Sequence, residues 1–330
     1  MRVNAVFEGG GVKAIGLAGA VHEAQRRGVL FGRVAGTSSG AIIAALLAAG
    51  YTGEEMRQIM QETPFQSFIK QSWLFRIKWI GPAIRLLVKK GLYSGDPLEK
   101  WIFELLACKG VRTFGDLKPK QLKIIASDIS RGRLLVLPDD IAQYGIDPKK
   151  LTVARAIRMS TSIPYFFEPV ILRRLGKQKL TMKTSQNRTV DLTSIYIVDG
   201  GILSNFPLWL FDKEEHDSEG DPTLGFQLVG RGENEPKKII GPLTMFQALF
   251  TTMMDAHDER YIEEHKVFRT IKIPSLGVHT TDFSISPEMS RRLFDAGVMA
   301  AGKYLEKWNA EQYWTMCSKW NLRTGKPRKV

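Results

Sequence analysis

Gly36-Thr37-Ser38-Ser39-Gly40 is the stretch on which both the fold and the chemistry turn. Arg33-Val34-Ala35 leads into it, and Ala41-Ile42-Ile43-Ala44-Ala45-Leu46-Leu47-Ala48-Ala49-Gly50, an apolar helix former closed by a glycine, leads away. The order is strand, sharp turn, buried helix. G-x-S-x-G at such a turn lifts the serine clear of the sheet and sets its hydroxyl over the positive end of the helix. Gly36 and Gly40 carry no Cβ and so let two backbones pass closely. The pentapeptide by itself fits a Gly/Ser loop as well as a nucleophile, so the rest of the chain decides.

Working outward, Val3 to Phe7 is a short continuous apolar run, as in a strand covered on both faces. Glu8-Gly9-Gly10-Gly11-Val12-Lys13-Ala14 follows at once, and a helix is expected from about Val12 to Arg27. Three glycines between strand and helix expose backbone N–H groups above a helix N-terminus, which makes an anion site. A nucleotide phosphate fits poorly, because the phosphate-loop pattern needs Ser or Thr after Lys13 and Ala14 stands there. The dinucleotide pattern fits Gly9 and Gly11 but lacks its third glycine, again at Ala14. The oxyanion of an acyl-transfer intermediate is the other anion this turn suits.

Strands alternate with helices to the end of the chain, which argues for an α/β fold. The expected form is a three-layer sandwich, with a mostly parallel central sheet covered by helices on both faces. A single domain is expected over residues 1–310, with a cap or lid at about 65–95 and a basic C-terminal tail over 311–330. Gly176 to Leu192 reads as an exposed hairpin or insertion. Ile195-Tyr196-Ile197-Val198 reads as a strand with Asp199-Gly200-Gly201 at its end.

A serine nucleophile needs a general base. Of the five histidines, His22 lies within a helix, His216 in an acidic loop, and His257 and His265 beside an acidic stretch. His279, in the loop before Thr280, is kept for a Ser-His-Asp triad. Asp199 fits better: in a parallel sheet the C-terminal strand ends share one edge, which places Asp199 with Ser38 and Gly9–Gly11. A cleft that excludes water would raise its pKa and make it a better base.

The chain has 330 residues and a formal net charge of +13, an excess that favours anionic partners. No nucleic-acid-binding signature accompanies the charge, so a membrane surface is expected and nucleic acid is not. The segment Trp73 to Lys90 mixes aromatic, aliphatic and basic residues without one acid, the composition of a membrane interface; Trp73, Phe75 and Trp79 are its anchors. No run reaches the roughly 18–20 apolar residues that span a bilayer, so contact with an anionic membrane is expected to be peripheral. Two cysteines, Cys108 and Cys317, suit a reducing cytoplasm, with peripheral contact at the inner face of its membrane. The sequence leaves oligomeric state undetermined.

Glu8-Gly9-Gly10-Gly11-Val12-Lys13, Gly36-Thr37-Ser38-Ser39-Gly40 and Asp199-Gly200-Gly201, in this order, resemble the three signatures of patatin-like phospholipases. Ala156–Pro169 and Thr281–Ser286 resemble the same family, so the likeness covers most of the chain. It implies a lipid acyl hydrolase with a Ser-Asp dyad and no histidine. Ser38 is then the nucleophile and Asp199 the base. Gly9, Gly10 and Gly11 supply the oxyanion hole, and Lys13, Gly36, Gly40, Gly200 and Gly201 complete the motifs. Ala14 departs from the family's usual glycine; it tightens the turn without removing backbone donors. The expected reaction is ester hydrolysis on phospholipids or other acyl lipids through an acyl-enzyme, with no metal and no cofactor. Two other readings stay open: a non-catalytic peripheral membrane-binding protein that keeps the fold, and a nucleotide-binding protein using Gly9–Lys13.

Overall fold

The computed structural model describes residues 1–69, 80–173, 181–183, 189–191, 194–212, 220–230, 239–241, 244–245, 248–250, 252–253 and 268–323. Strand β1 (Arg2–Phe7) runs through the glycine turn into helix α1 (Ala14–Arg26), and β2 (Leu30–Thr37) runs into α2 (Ser39–Ala48). Alternation along β1 divides its side chains. Val3, Ala5 and Phe7 join the main core with α1 and α2, while Val6 joins Ala35, Leu208 and Phe211 on the opposite face. The apolar run at Val3–Phe7 is thus covered on both sides.

Helix α3 (Gly53–Glu62) begins at Thr52, whose hydroxyl accepts the Glu55 N–H while the Glu55 carboxylate accepts the Thr52 N–H. Residues 65–69 form a short 3-10 helix whose Phe68 is buried. Helix α4 (Ile80–Lys89), strand β3 (Gly91–Tyr93) and helix α5 (Asp96–Cys108) follow. Trp73, Phe75 and Trp79 lie outside the described residues, with residues 70–79 of the expected lid. Strands β4 (Leu122–Asp128) and β5 (Arg133–Leu137) form an antiparallel pair. Helix α6 (Val153–Ser160) then leads to β6 (Tyr165–Phe167) and β7 (Val170–Arg173). Strands β8 (Thr181–Lys183) and β9 (Thr189–Asp191) pair antiparallel within the expected insertion. Strand β10 (Ser194–Asp199), helix α7 (Trp209–Asp212) and strands β11 (Thr223–Val229) and β12 (Thr270–Pro274) follow, and then α8 (Pro287–Lys307) and α9 (Ala310–Arg323).

The central sheet has the order β12-β11-β1-β2-β4-β10-β7, and the pairings from β12 to β4 are parallel. From β4 onward they are antiparallel, as β5 and β10 both run against β4 and β7 runs against β10. The sheet is therefore mostly parallel with an antiparallel flank. On β4, residues 124 to 128 pair with β5 on one edge. The other edge is shared: β2 pairs with Leu122–Ile125, ending at Thr37 opposite Ile125, and β10 pairs with Ala126–Asp128, with Asp199 opposite Ala126. The two strands meet end to end. The expectation that Asp199 reaches Ser38 from the same end of a parallel sheet is corrected in its reason: β10 arrives from the opposite direction.

The C-terminal stretch also differs from the expected tail. Residues 310–323 form α9, and Tyr313 is buried with its hydroxyl accepting the Thr223 N–H at 2.9 Å. An aromatic ring inserted at the start of β11 anchors this helix to the body of the fold.

Candidate active site

The turn after β2 is built by exclusion of side chains. A Cβ at Gly36 would collide with the Gly40 carbonyl, and one at Gly40 with the Phe7 and Glu8 carbonyls at the end of β1. The two glycines thus allow α2 to start directly against two strand ends. Ser38 between them has φ 53° and ψ −127°, a conformation that costs a non-glycine residue about 1–3 kcal/mol. The geometry is that of a nucleophile elbow.

The Ser38 hydroxyl donates to Asp199 Oδ2 at 2.7 Å, and both residues are almost fully buried. The other carboxylate oxygen, Oδ1, accepts the Gly201 N–H at 2.8 Å. Gly200 beside it packs against the Ile125 carbonyl, where a side chain would not fit. Burial pushes the Asp199 carboxyl up from 3.8 to about 7, against the opposing effect of its two hydrogen bonds. At neutral pH the carboxylate is therefore poised to exchange a proton.

Two serines beyond the three motifs hold this pair. Ser160, at the end of α6, accepts the Ser38 N–H at 2.8 Å and donates to the Ile125 carbonyl. Ser162 accepts the Asp199 N–H on its carbonyl at 3.0 Å. Its hydroxyl lies 2.5 Å from Nη1 of the buried Arg158, which also donates through Nη2 to the Glu168 carbonyl at 2.7 Å. Ser160-Thr161-Ser162 is thus a bracket against both members of the pair. Sequence reading missed it, because serines at a helix end look like ordinary caps. The resemblance of Ala156–Pro169 to a family segment was the one available signal.

The glycine turn sits across from Ser38. Gly11 has φ 59° and presses against the Thr280 carbonyl, so a side chain there would be both strained and obstructed. The N–H groups of the turn are not equivalent. Gly9 donates to the Asn205 carbonyl at 3.2 Å and Gly10 to Ser39 Oγ at 3.0 Å. Gly9, expected among the oxyanion donors, is thus committed elsewhere. Its side of the turn is fixed further by Asn205, whose amide donates to the Gly9 carbonyl and to Glu8 Oε1, while Glu8 Oε2 accepts the Leu228 N–H. Lys13 closes the turn through its N–H to the Gly10 carbonyl.

An apolar cavity is lined in part by Ser38. Gly11, Val12 and Ile15, Ile42 and Ile43 of α2, and Met60, Phe65, Phe68, Leu98 and Trp101 line it. Phe68 packs against Trp101 with ring centroids 5.1 Å apart. Ile163, Phe167 and Phe283 complete the apolar lining. Such a cavity offers an apolar chain many contacts and few polar partners.

Two of the five histidines are described, and His279 is next to Thr280, whose carbonyl accepts the Val12 N–H. His22 lies 3.6 Å from Glu54 and packs on Phe294; His279 is exposed in its loop; His216, His257 and His265 lie outside the described residues. Among the described residues no group of three or more His, Cys, Asp or Glu could hold a metal ion, and no helix is long and apolar enough to cross a membrane.

Comparison with known proteins agrees with this geometry. A model of the patatin-like phospholipase family matches residues 5–212. The uncharacterized protein YqhO of Bacillus subtilis (strain 168) is 42% identical over 313 residues, which cover 93% of this chain and 99% of YqhO. The uncharacterized protein R571 of Acanthamoeba polyphaga mimivirus is 25% identical over 284 residues, 83% of this chain and 82% of R571. Among solved structures, VipD from Legionella pneumophila aligns with a TM-score of 0.52 at 17% identity, over 92% of this chain and 66% of VipD, a likeness of fold. Signature turns, strand order and family match coincide: the chain belongs to the patatin-like phospholipase family.

Proposed function

We propose that this chain is a serine lipid acyl hydrolase of phospholipase A type, cleaving fatty acyl esters of phospholipids by a Ser38–Asp199 dyad through an acyl-enzyme. Family membership supports lipid hydrolysis as the activity. The observation that carries the finer reading is the 2.7 Å hydrogen bond to a buried carboxylate from Ser38, which lines an apolar cavity.

In the first half-reaction Asp199 takes the Ser38 hydroxyl proton while Oγ attacks the ester carbonyl. The tetrahedral oxyanion forms over the start of α2 and the glycine turn. Its donors are the N–H groups of Gly11 and Ser39, joined by Gly10 when Ser39 Oγ releases it. Collapse breaks the ester C–O bond, and Asp199 returns its proton to the leaving alkoxide, freeing lysophospholipid. Water then attacks the acyl-enzyme as Asp199 removes its proton. The fatty acid leaves, and that proton returns to Ser38. Each proton removed is returned, so the cycle needs no metal or redox partner, and added chelator is expected to leave the rate unchanged. The apolar cavity, lined among others by Phe68 and Trp101, takes the acyl chain. Peripheral contact with an anionic bilayer supplies the substrate.

The test is fatty acid release from phosphatidylcholine–phosphatidylglycerol vesicles and from a soluble short-chain acyl ester. The parent is expected to release acid from both, and Ser38→Ala from neither. Full activity of Ser38→Ala would overturn the mechanism. Salt-sensitive vesicle binding without hydrolysis by the parent would favour a membrane-binding protein that retains the fold.

A further inference from the structure

The stretch Ile239 to Met254 contains no charged residue and directly follows Lys237-Lys238. Its described residues are helical at 244–245, 248–250 and 252–253. The start is tied down: Thr244 Oγ1 accepts the N–H groups of Ile240 and Gly241 at 2.9 Å, and the Met245 N–H donates to the Gly241 carbonyl. Yet large apolar side chains stand in solvent along it. Ile240 is 76% exposed, Met245 52%, Leu249 52% and Met253 43%. Single exposed apolar residues are ordinary; several in one segment at a helical spacing of four, without a charge among them, are not.

The opposite side of the segment faces the site. Phe250 is buried against Ile163, with Phe166 and Ile202 packed around them. Ile163 lines the same cavity as Ser38, and Ile202 lies three residues after Asp199. The exposed stripe is therefore connected through Phe250 and Ile163 to the lining of the cavity that holds Ser38.

We propose that the exposed apolar side chains of Ile240, Met245, Leu249 and Met253 dock this protein onto an anionic lipid bilayer by entering its headgroup–acyl boundary. The choice of a bilayer rests on the acyl hydrolase reading. An acyl chain leaving a membrane stays in apolar surroundings if the surface next to the cavity is itself seated in the membrane. The chain as a whole carries +13; the stripe itself is uncharged, with Lys237-Lys238 before it and an acidic stretch from Asp255 after it, so the net charge draws the protein to the bilayer and apolar burial seats the stripe.

The test uses Ser38→Ala protein, so that binding is measured without turnover, and sedimentation with phosphatidylcholine–phosphatidylglycerol vesicles. Leu249→Glu/Met253→Glu is expected to weaken binding at least about tenfold, through loss of buried apolar area. Leu30→Glu, an equally exposed site at the far end of β2, is expected to bind as the parent does. With Ser38 intact, the double variant should hydrolyse a soluble short-chain ester at the parental rate and vesicle lipid more slowly. Met245→Glu serves as a second variant if the double one fails to fold. Parental binding by the folded glutamate variants would overturn the proposal. So would equal losses from Leu30→Glu, which would trace binding to net charge alone. A parent dimer that the double variant converts to monomer while still binding vesicles would assign the stripe to a second copy of the chain. If the parent cleaves no ester at all, the hydrolase reading fails, and the sedimentation arms still decide where a membrane binds.

Discussion

Ser38 and Asp199 approach each other from opposite directions along one edge of β4: β2 ends beside Ile125, β10 ends beside Ala126, and the side chains close the gap with a 2.7 Å hydrogen bond. Because neighbouring residues of one strand set the spacing, the pair is held by sheet register rather than by a flexible loop. Such rigidity suits a dyad, which has no third residue to orient the base.

The pH dependence of turnover follows from the Asp199 environment. The carboxyl must be ionised to accept the serine proton, and burial lifts its pKa to about 7. The value of kcat/KM on a soluble ester is expected to rise as pH rises through about 7 and then level off. Initial rates between about pH 5 and pH 9 check this. A profile already flat at pH 5 would mean that another group serves as base.

The same burial has an opposite consequence for stability. Between 3.8 and about 7 the folded chain keeps a proton on Asp199 that the unfolded chain gives up. Stability from this group is full below the unfolded value and declines as pH rises through the folded one, by about 4 kcal/mol at most. Asp199→Asn removes that loss. It should be inactive yet melt higher than the parent at pH 8, with the difference vanishing near pH 4. Thermal unfolding at the two pH values is the measurement.

Ser160 acts on Ser38 through its backbone. Ser160→Ala leaves the Ser38 N–H without its acceptor and the strained turn without a tether. The expected effect is a fall in kcat of about 10- to 100-fold with KM nearly unchanged. Ser160→Thr, which keeps the hydroxyl, should recover most of the rate. A change confined to KM would contradict a positioning role.

The parts of this site that depend on local geometry were legible in the sequence. Gly36 and Gly40 must lack side chains for α2 to start against β1, and Gly11 must adopt a positive φ against Thr280, so the motifs mark themselves. Pairing direction was not legible. Residues 138–193 separate β5 from β10, and nothing in Ile195–Val198 states which way that strand returns. The Gly9 N–H looked like a free donor because its partner, the Asn205 carbonyl, is a main-chain atom nearly 200 residues away. Tyr313 was hidden for a similar reason, as a basic C-terminal stretch reads as solvated until one aromatic ring is seen bonded to Thr223.

The central claim, that Ser38 is a nucleophile activated by Asp199, is tested most directly by the mass of the intact protein after treatment with a fluorophosphonate. One adduct, located on Ser38 by peptide mapping, is expected for the parent at pH 8. None is expected for Ser38→Ala, and formation should be at least about a hundredfold slower for Asp199→Asn. Adduct formation at the parental rate in Ser38→Ala would contradict the assignment of the nucleophile, and in Asp199→Asn that of the base.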